Sequence, residues 1–186
     1  MKLRDYKKED AAIICKWLRT EDELYRWSAD RFNKFPLSEN DIEENYAPQI
    51  KSGRFFPLTA IDEKETQVGH FIIRYPKEDD DSTVRFGFVI VDPVIRGKGY
   101  GSKMLRLGIQ YVKDHLDVNR IDLGVFEDNA AAKRCYEAVG FKEYGLRKCE
   151  MPIGTWNCID MEIILDKKEK ADGLKSGKST EMRRKL

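Results

Sequence analysis

Phe86-Gly87-Phe88-Val89-Ile90-Val91-Asp92-Pro93 is followed, two residues on, by Arg96-Gly97-Lys98-Gly99-Tyr100-Gly101-Ser102. The first run reads as a β-strand and the second as a glycine-rich turn that opens a helix. Three alternate glycines let the backbone come close to a ligand and aim several N–H groups at one point. Those amides and the positive end of the helix dipole favour an anion, and Arg96 and Lys98 add full charge. A pyrophosphate is the expected guest. The dinucleotide fingerprint needs G-x-G-x-x-G, which this spacing fails, and Gly177-Lys178-Ser179 lacks the first glycine of a phosphate-binding P-loop.

On the C-terminal side, Met104, Leu105, Gly108, Tyr111 and Val112 recur at helical spacing, and Arg120 to Phe126 reads as the next strand. A helix is expected from Asn129 to Val139, stopped by Gly140 in a left-handed cap, with strands around Phe141 to Cys149 and Trp156 to Leu165. On the N-terminal side, a strand Lys2 to Tyr6 precedes a helix carrying Ala11, Ala12, Cys15 and Leu18, and Ser38 opens a second helix. Glu21 to Leu37 is aromatic and receives no assignment. Strands at Phe55 to Asp62, Gln67 to Tyr75 and Thr83 to Val91 are joined by short charged turns, which favour antiparallel neighbours. The order βααβββαβαββ implies an α+β fold: a mixed sheet of about seven strands, helices on both faces and one parallel junction in the middle.

Composition bounds the function. The chain has 186 residues, 41% hydrophobic and 36% charged, which suits a soluble domain rather than a disordered chain or a membrane protein. A formal charge of +1 gives no general attraction to nucleic acid or anionic lipid. Eight bases and four acids fall in residues 166 to 186, so residues 1 to 165 are expected to form the domain and the rest a basic, flexible tail. Cys15, Cys135, Cys149 and Cys158 lack metal-ligand spacing, and no metal is expected. They read as reduced, mostly buried thiols of a cytoplasmic protein.

Arg96-Gly97-Lys98-Gly99-Tyr100-Gly101, with an Asn129-to-Tyr136 helix running into Gly140-Phe141, resembles the GNAT family of acyl-CoA-dependent N-acetyltransferases. The start, Leu3-Arg4-Asp5-Tyr6 with Glu9-Asp10-Ala11 and Trp17-Leu18, is similar to the branch of ribosomal-protein N-terminal and polyamine acetyltransferases. The resemblance implies a sheet splayed between its fourth and fifth strands and acetyl-CoA as cosubstrate. Val89, Ile90 and Val91 would pair through main-chain atoms with the pantetheine arm, as an added strand does.

Asn129, Ala132, Lys133 and Tyr136 share a helical stripe expected to face the cofactor, beside an apolar stripe of Ala131, Cys135, Ala138 and Val139 turned to the core. By resemblance, Tyr136 protonates the departing thiolate. Several family members place an acid where this chain has Gly124, which leaves the base open between Glu127 and His70, both by position only. The amine acceptor is a polyamine, another small amine or a protein N-terminus, read by Glu21 to Ile50 and the final hairpin, including Trp27, Tyr46 and Trp156. Acids in that region are expected to attract a cation. The missing acid also supports a second reading, an acyl-CoA-binding sensor or scaffold without turnover. Monomer and homodimer both stay open.

Overall fold

A computed structural model describes residues 1–165, so the basic tail and Gly177-Lys178-Ser179 lie outside the described residues. In chain order the elements are β1 (Lys2–Asp5), α1 (Asp10–Trp17), α2 (Glu21–Ser28), α3 (Glu39–Lys51), β2 (Phe55–Ile61), β3 (Gln67–Arg74) and β4 (Thr83–Val91). Then follow α4 (Tyr100–His115), β5 (Arg120–Phe126), α5 (Ala130–Glu137), β6 (Lys142–Met151) and β7 (Gly154–Ile164). The sheet runs β1-β2-β3-β4-β5-β7-β6. Only β4 and β5 are parallel among neighbours, as expected for strands joined by a helical crossover.

The unassigned Glu21 to Leu37 stretch contains a helix. Thr20 caps α2, its hydroxyl accepting from the Glu23 amide at 3.1 Å, and three acids occupy the first turn where the dipole favours them. Ser38 and Asp41 close a capping box at the head of α3.

Two apolar layers sandwich the sheet. Met104, Leu105 and Val112 of α4 meet Leu58, Phe71, Ile73 and Phe86 on one face. Ile14 of α1, Leu24 of α2 and Ile42 of α3 meet Phe55, Ile72 and Ile90 on the other. Each fully buried aliphatic side chain of this kind contributes about 1.5–3 kcal/mol.

Alternation on β4 changes phase along the strand. Val84 and Phe86 face the α4 layer, but beyond Phe88 it is Val89 and Val91 that do so, while Phe88 and Ile90 turn to the other layer. The cause is a β-bulge: Ile72 pairs with Gly87 and His70 with Ile90, so β4 carries one residue more than β3, and Phe88 takes a φ of 51°. On its other edge β4 pairs with β5 only through Thr83, Val84 and Arg85. From Phe86 onward the two strands part.

Asp10 locks the strand edge to α1. Burial works to raise its pKa, but a bidentate Arg4 at 2.7 Å, the Lys7 amide and the Thr59 hydroxyl outweigh it and hold the carboxylate below its ordinary range.

Candidate active site

The parting of β4 and β5 opens a cleft of about 730 Å³. One wall is the backbone of Val89, Ile90 and Val91, free of β5 along this stretch. The turn after β4 forms the rim. Asp92 caps a short 3-10 turn by accepting from the Val94 amide at 2.9 Å, and Arg96 Nε donates to the Val91 carbonyl at 3.2 Å. Gly97 and Gly99 take φ values of 76° and 80°, and a Cβ on either would meet nothing within 4 Å. The backbone conformation, not space, calls for glycine at both.

Gly99 is the N-cap of α4 and brings no capping side chain. The first intrahelical bond runs from the Lys103 amide to the Gly99 carbonyl, so the amides of Tyr100, Gly101 and Ser102 have no acceptor within the helix and stand at the cleft. Gly101 has a second role besides the one its spacing suggests. A Cβ there would lie 3.1 Å from Cys135 Sγ, so this glycine lets α4 approach α5. Ser102 Oγ is 3.3 Å from the same sulfur.

On α5, Asn129 is the cap itself, its Oδ1 accepting from the Ala132 amide at 3.1 Å. Asn129, Ala132 and Tyr136 line the cleft, but the stripe does not hold together. Lys133 turns outward to an ion pair with Glu143 and, with Glu127, lines a separate depression of about 470 Å³. The apolar stripe holds in part: Val139 is buried in the core and Cys135 packs against it while also lining the cleft, but Ala131 and Ala138 are exposed, and Tyr136 joins the core. Small side chains face the cleft because bulk there would fill it. Lys98 is exposed on the rim and does not line the cleft. Glu127 is exposed, its carboxylate accepting from Asn157 at 2.8 Å. Among the four cysteines only Cys158 is buried; the other three are half-buried.

Tyr136 is 7% exposed, its ring set edge-on to Phe141. Desolvation pushes its phenol well above the ordinary range, with Cys135 and Cys158 adding to the effect. The hydroxyl has no hydrogen-bond partner among the described residues and remains protonated at neutral pH.

Arg26 and Trp27 of α2 stand between this cleft and a second cavity of about 670 Å³ on the other side. Trp27 Nε1 donates to the Phe88 carbonyl at 2.7 Å and its ring packs on Phe88 and Phe32. Arg26 grips Asp128 with two hydrogen bonds of 2.6 and 2.9 Å, holds Asp22 at 2.6 Å and lies over the Trp156 ring. The far wall is an ionic ladder across β4, β5, β7 and β6. Arg85 binds Asp122 at 2.8 and 3.0 Å and Asp160 at 3.2 Å, and Arg147 binds Asp160 at 2.9 Å.

Gly124 belongs to this second cavity, and a Cβ there would come within 2.9 Å of Cys158 Sγ and 3.2 Å of the Arg147 guanidinium. A side chain there would have to displace the Cys158 thiol and the end of Arg147. His70 reaches neither cavity: it is fully buried, 2.9 Å from the Tyr46 hydroxyl, and burial lowers its pKa to about 3. Nor do Tyr46 and Trp156 line the second cavity, although Trp27 does. The acids of Glu21 to Ile50 do not line that cavity either, except Asp30. Among the described residues no helix is long and apolar enough to cross a membrane, and no cluster of His, Cys, Asp or Glu is arranged for a metal ion.

A family model, the acetyltransferase (GNAT) domain, matches residues 1–142. Spermine/spermidine N(1)-acetyltransferase of Bacillus subtilis (strain 168) is 35% identical over 74 residues, 38% of this chain and 49% of that protein. L-amino acid N-acetyltransferase AaaT of Escherichia coli (strain K12) is 35% identical over 89 residues, 45% of this chain and 55% of that protein. The matches thus span about half the length of each relative. Spermidine N-acetyltransferase from Vibrio cholerae, solved in complex with CoA and spermine, superposes with a TM-score of 0.74 at 20% identity, over 88% of this chain and 94% of that one. That likeness is one of fold.

Proposed function

The chain belongs to the GNAT acetyltransferase family, and from that premise we propose that it moves an acetyl group from acetyl-CoA to a primary amine by direct attack. The observation that carries the reading is the set of free amides at the head of α4, placed at the mouth of the gap between β4 and β5. A diphosphate fits there, because the helix N-terminal amides have no acceptor within the helix and the nearby Arg96, anchored through Nε to the Val91 carbonyl, adds positive charge. The edge of Val89 to Val91 that β5 leaves uncovered suits an extended amide-containing arm. When bound, acetyl-CoA supplies an activated thioester.

Tyr136 is assigned the proton donor to the leaving thiolate. A phenol raised by burial is a poor acid in water, but a thiolate in the same desolvated cleft also holds its proton more tightly, so the two stay matched. The amine enters from the second cavity, past Trp27. Asp122 and Asp160 are committed to arginines there, Asp30 lies 3.7 Å from Arg31, and Glu150 accepts from Thr155. Among the described residues lining that cavity no carboxylate is posted to take a proton from an ammonium, so the acceptor arrives as the neutral base, and the proton it sheds after attack returns to the Tyr136 oxygen that protonated the thiolate.

At Gly124 the Cys158 thiol and the end of Arg147 pack close to the backbone, so packing accounts for the glycine without a lost catalytic acid. This favours an enzyme over a sensor or scaffold. The test is thiol release from acetyl-CoA with a panel of polyamines, amino acids, peptides and aminoglycosides, alongside calorimetry of CoA. Turnover with at least one amine is expected. CoA bound tightly with no turnover on any of them would restore the sensor reading, and no CoA binding at all would remove both.

A further inference from the structure

Five arginines line the acceptor-side cavity, Arg26, Arg31, Arg74, Arg85 and Arg147, against two carboxylates, Asp30 and Glu150. Four of the five have a carboxylate partner: Arg26 has Asp22 and Asp128, Arg31 has Asp30, Arg85 has Asp122 and Asp160, and Arg147 has Asp160. Arg74 has none. Among the described residues its guanidinium makes no hydrogen bond, ion pair or ring contact, although it is half-buried and lies on the same face of β3 as Ile72. Its cross-strand partner is Arg85, a like charge directly opposite. Burial, with Arg31 and Arg85 nearby, lowers its pKa from the usual arginine value against a weaker pull from Asp122, yet a guanidinium stays charged in a protein. None of its nitrogens is among the buried polar atoms left without a partner, so the guanidinium is open to the cavity and available to an anion that enters it.

We propose that Arg74 binds a carboxylate of the acceptor, so that the substrate is an amine that also carries a carboxylate, such as an amino acid or short peptide, rather than a polyamine. The proposal rests on the acetyl-transfer reading and names its acceptor class. A planar guanidinium fork matches a carboxylate with two parallel hydrogen bonds, and one such fork suffices for a single negative charge. Arg85, opposite Arg74, lies three residues before Phe88, about 10 Å along the strand from the bulge at the edge of the cofactor cleft. An extended arginine and a small acceptor cover that span together. Arg26, Arg31, Arg85 and Arg147 are already matched by carboxylates, which leaves Arg74 as the arginine on the cavity wall open to an incoming anion.

The experiment compares kcat/KM for amino acids and dipeptides with their C-terminal amides, with spermidine and with O-phosphoethanolamine, in the wild type and Arg74→Gln. Carboxylates are expected to beat their amides, and Arg74→Gln to lower the carboxylate-to-amide ratio about 10- to 100-fold, the range for a lost hydrogen bond to a charged group. Spermidine as the best acceptor, O-phosphoethanolamine ahead of every carboxylate, or a ratio untouched by Arg74→Gln would each overturn the assignment. A second measurement separates this from failure of acetyl transfer itself. N-acetylglycine, a carboxylate with no free amine, should raise the Tm of the wild type more than its amide does, and the difference should vanish in Arg74→Gln. An equal shift in both proteins overturns the site even if no amine is ever acetylated. Without ligand, Arg74→Gln should melt no lower than wild type, because it removes a like charge facing Arg85.

Discussion

Trp27 Nε1 donates a 2.7 Å hydrogen bond to the carbonyl of Phe88, the left-handed residue of the β4 bulge. One bond thereby fixes α2 against the point where β4 changes phase and leaves β5. Trp27 faces both cavities, so the wall between cofactor and acceptor sides hangs on the same contact.

Trp27→Phe keeps a ring against Phe32 and Phe88 but strands the Phe88 carbonyl. An unsatisfied buried acceptor costs about 1–3 kcal/mol, and a loss of about 1–2 kcal/mol in a chain of this size lowers Tm by roughly 3–6 °C. The acceptor KM should rise with it. Calorimetric melting and steady-state kinetics check the pair; a variant unchanged in both would show that the hydrogen bond holds nothing in place.

Gly99 and Gly101 should fail for different reasons. Gly99→Ala places a Cβ on a residue with φ of 80°, which costs about 1–2 kcal/mol for an L-residue and turns the free amides away from the cleft. CoA affinity should fall and no second-site change should restore it. Gly101→Ala puts a methyl 3.1 Å from Cys135 Sγ, so adding Cys135→Ala should recover most of the loss. Calorimetry of CoA on the four variants decides; additive losses at 101 and 135 would contradict the close approach.

Tyr136→Phe removes a hydroxyl that has no protein partner and leaves the ring on Phe141. Turnover should drop about 10²- to 10⁴-fold, the usual yield of a positioned proton donor, with CoA affinity and Tm nearly unchanged. Wild-type turnover at saturating substrates would reject the role.

What the sequence disclosed follows from where its signals are local. The strand Thr83 to Val91 and the strand Arg120 to Phe126 coincide with β4 and β5, because alternation and flanking turns mark them, and the glycine loop marks the cleft between them. α2 escaped because its aromatic residues hide the helical period, although Thr20 followed three residues later by Glu23 was a readable start signal. The α5 faces were legible in part: Cys135 and Val139 pack on the core as their spacing implies, while Ala131 and Ala138, at the two ends of an eight-residue helix, are exposed. The acceptor cavity was not legible at all. Arg74, Arg85, Asp122, Arg147 and Asp160 come from five strands, and nothing in the chain announces which arginine lacks a partner. Asp122 between Ile121 and Leu123, and Asp160 between Ile159 and Met161, were the available hints, since a charge inside an apolar strand needs a buried counter-charge.

His70 predicts a specific acid sensitivity. Folded, its pKa is about 3; unfolded, it returns to the ordinary 6.5, so the unfolded chain binds the extra proton between those values. Stability from this residue is complete above about pH 6.5 and drains away as pH falls toward 3. Asp10, Asp41 and Asp128 are also held low, but their contribution is present above 3.8 and is lost only below it. The interval between pH 4 and 6.5 therefore belongs to His70, whose Nε2 meets the Tyr46 hydroxyl and whose ring lies beside Tyr6. Urea midpoints taken across that interval should fall steadily in the wild type and stay flat in His70→Gln, whatever the variant's starting stability. Parallel slopes in the two proteins would mean that His70 is protonated in the folded state.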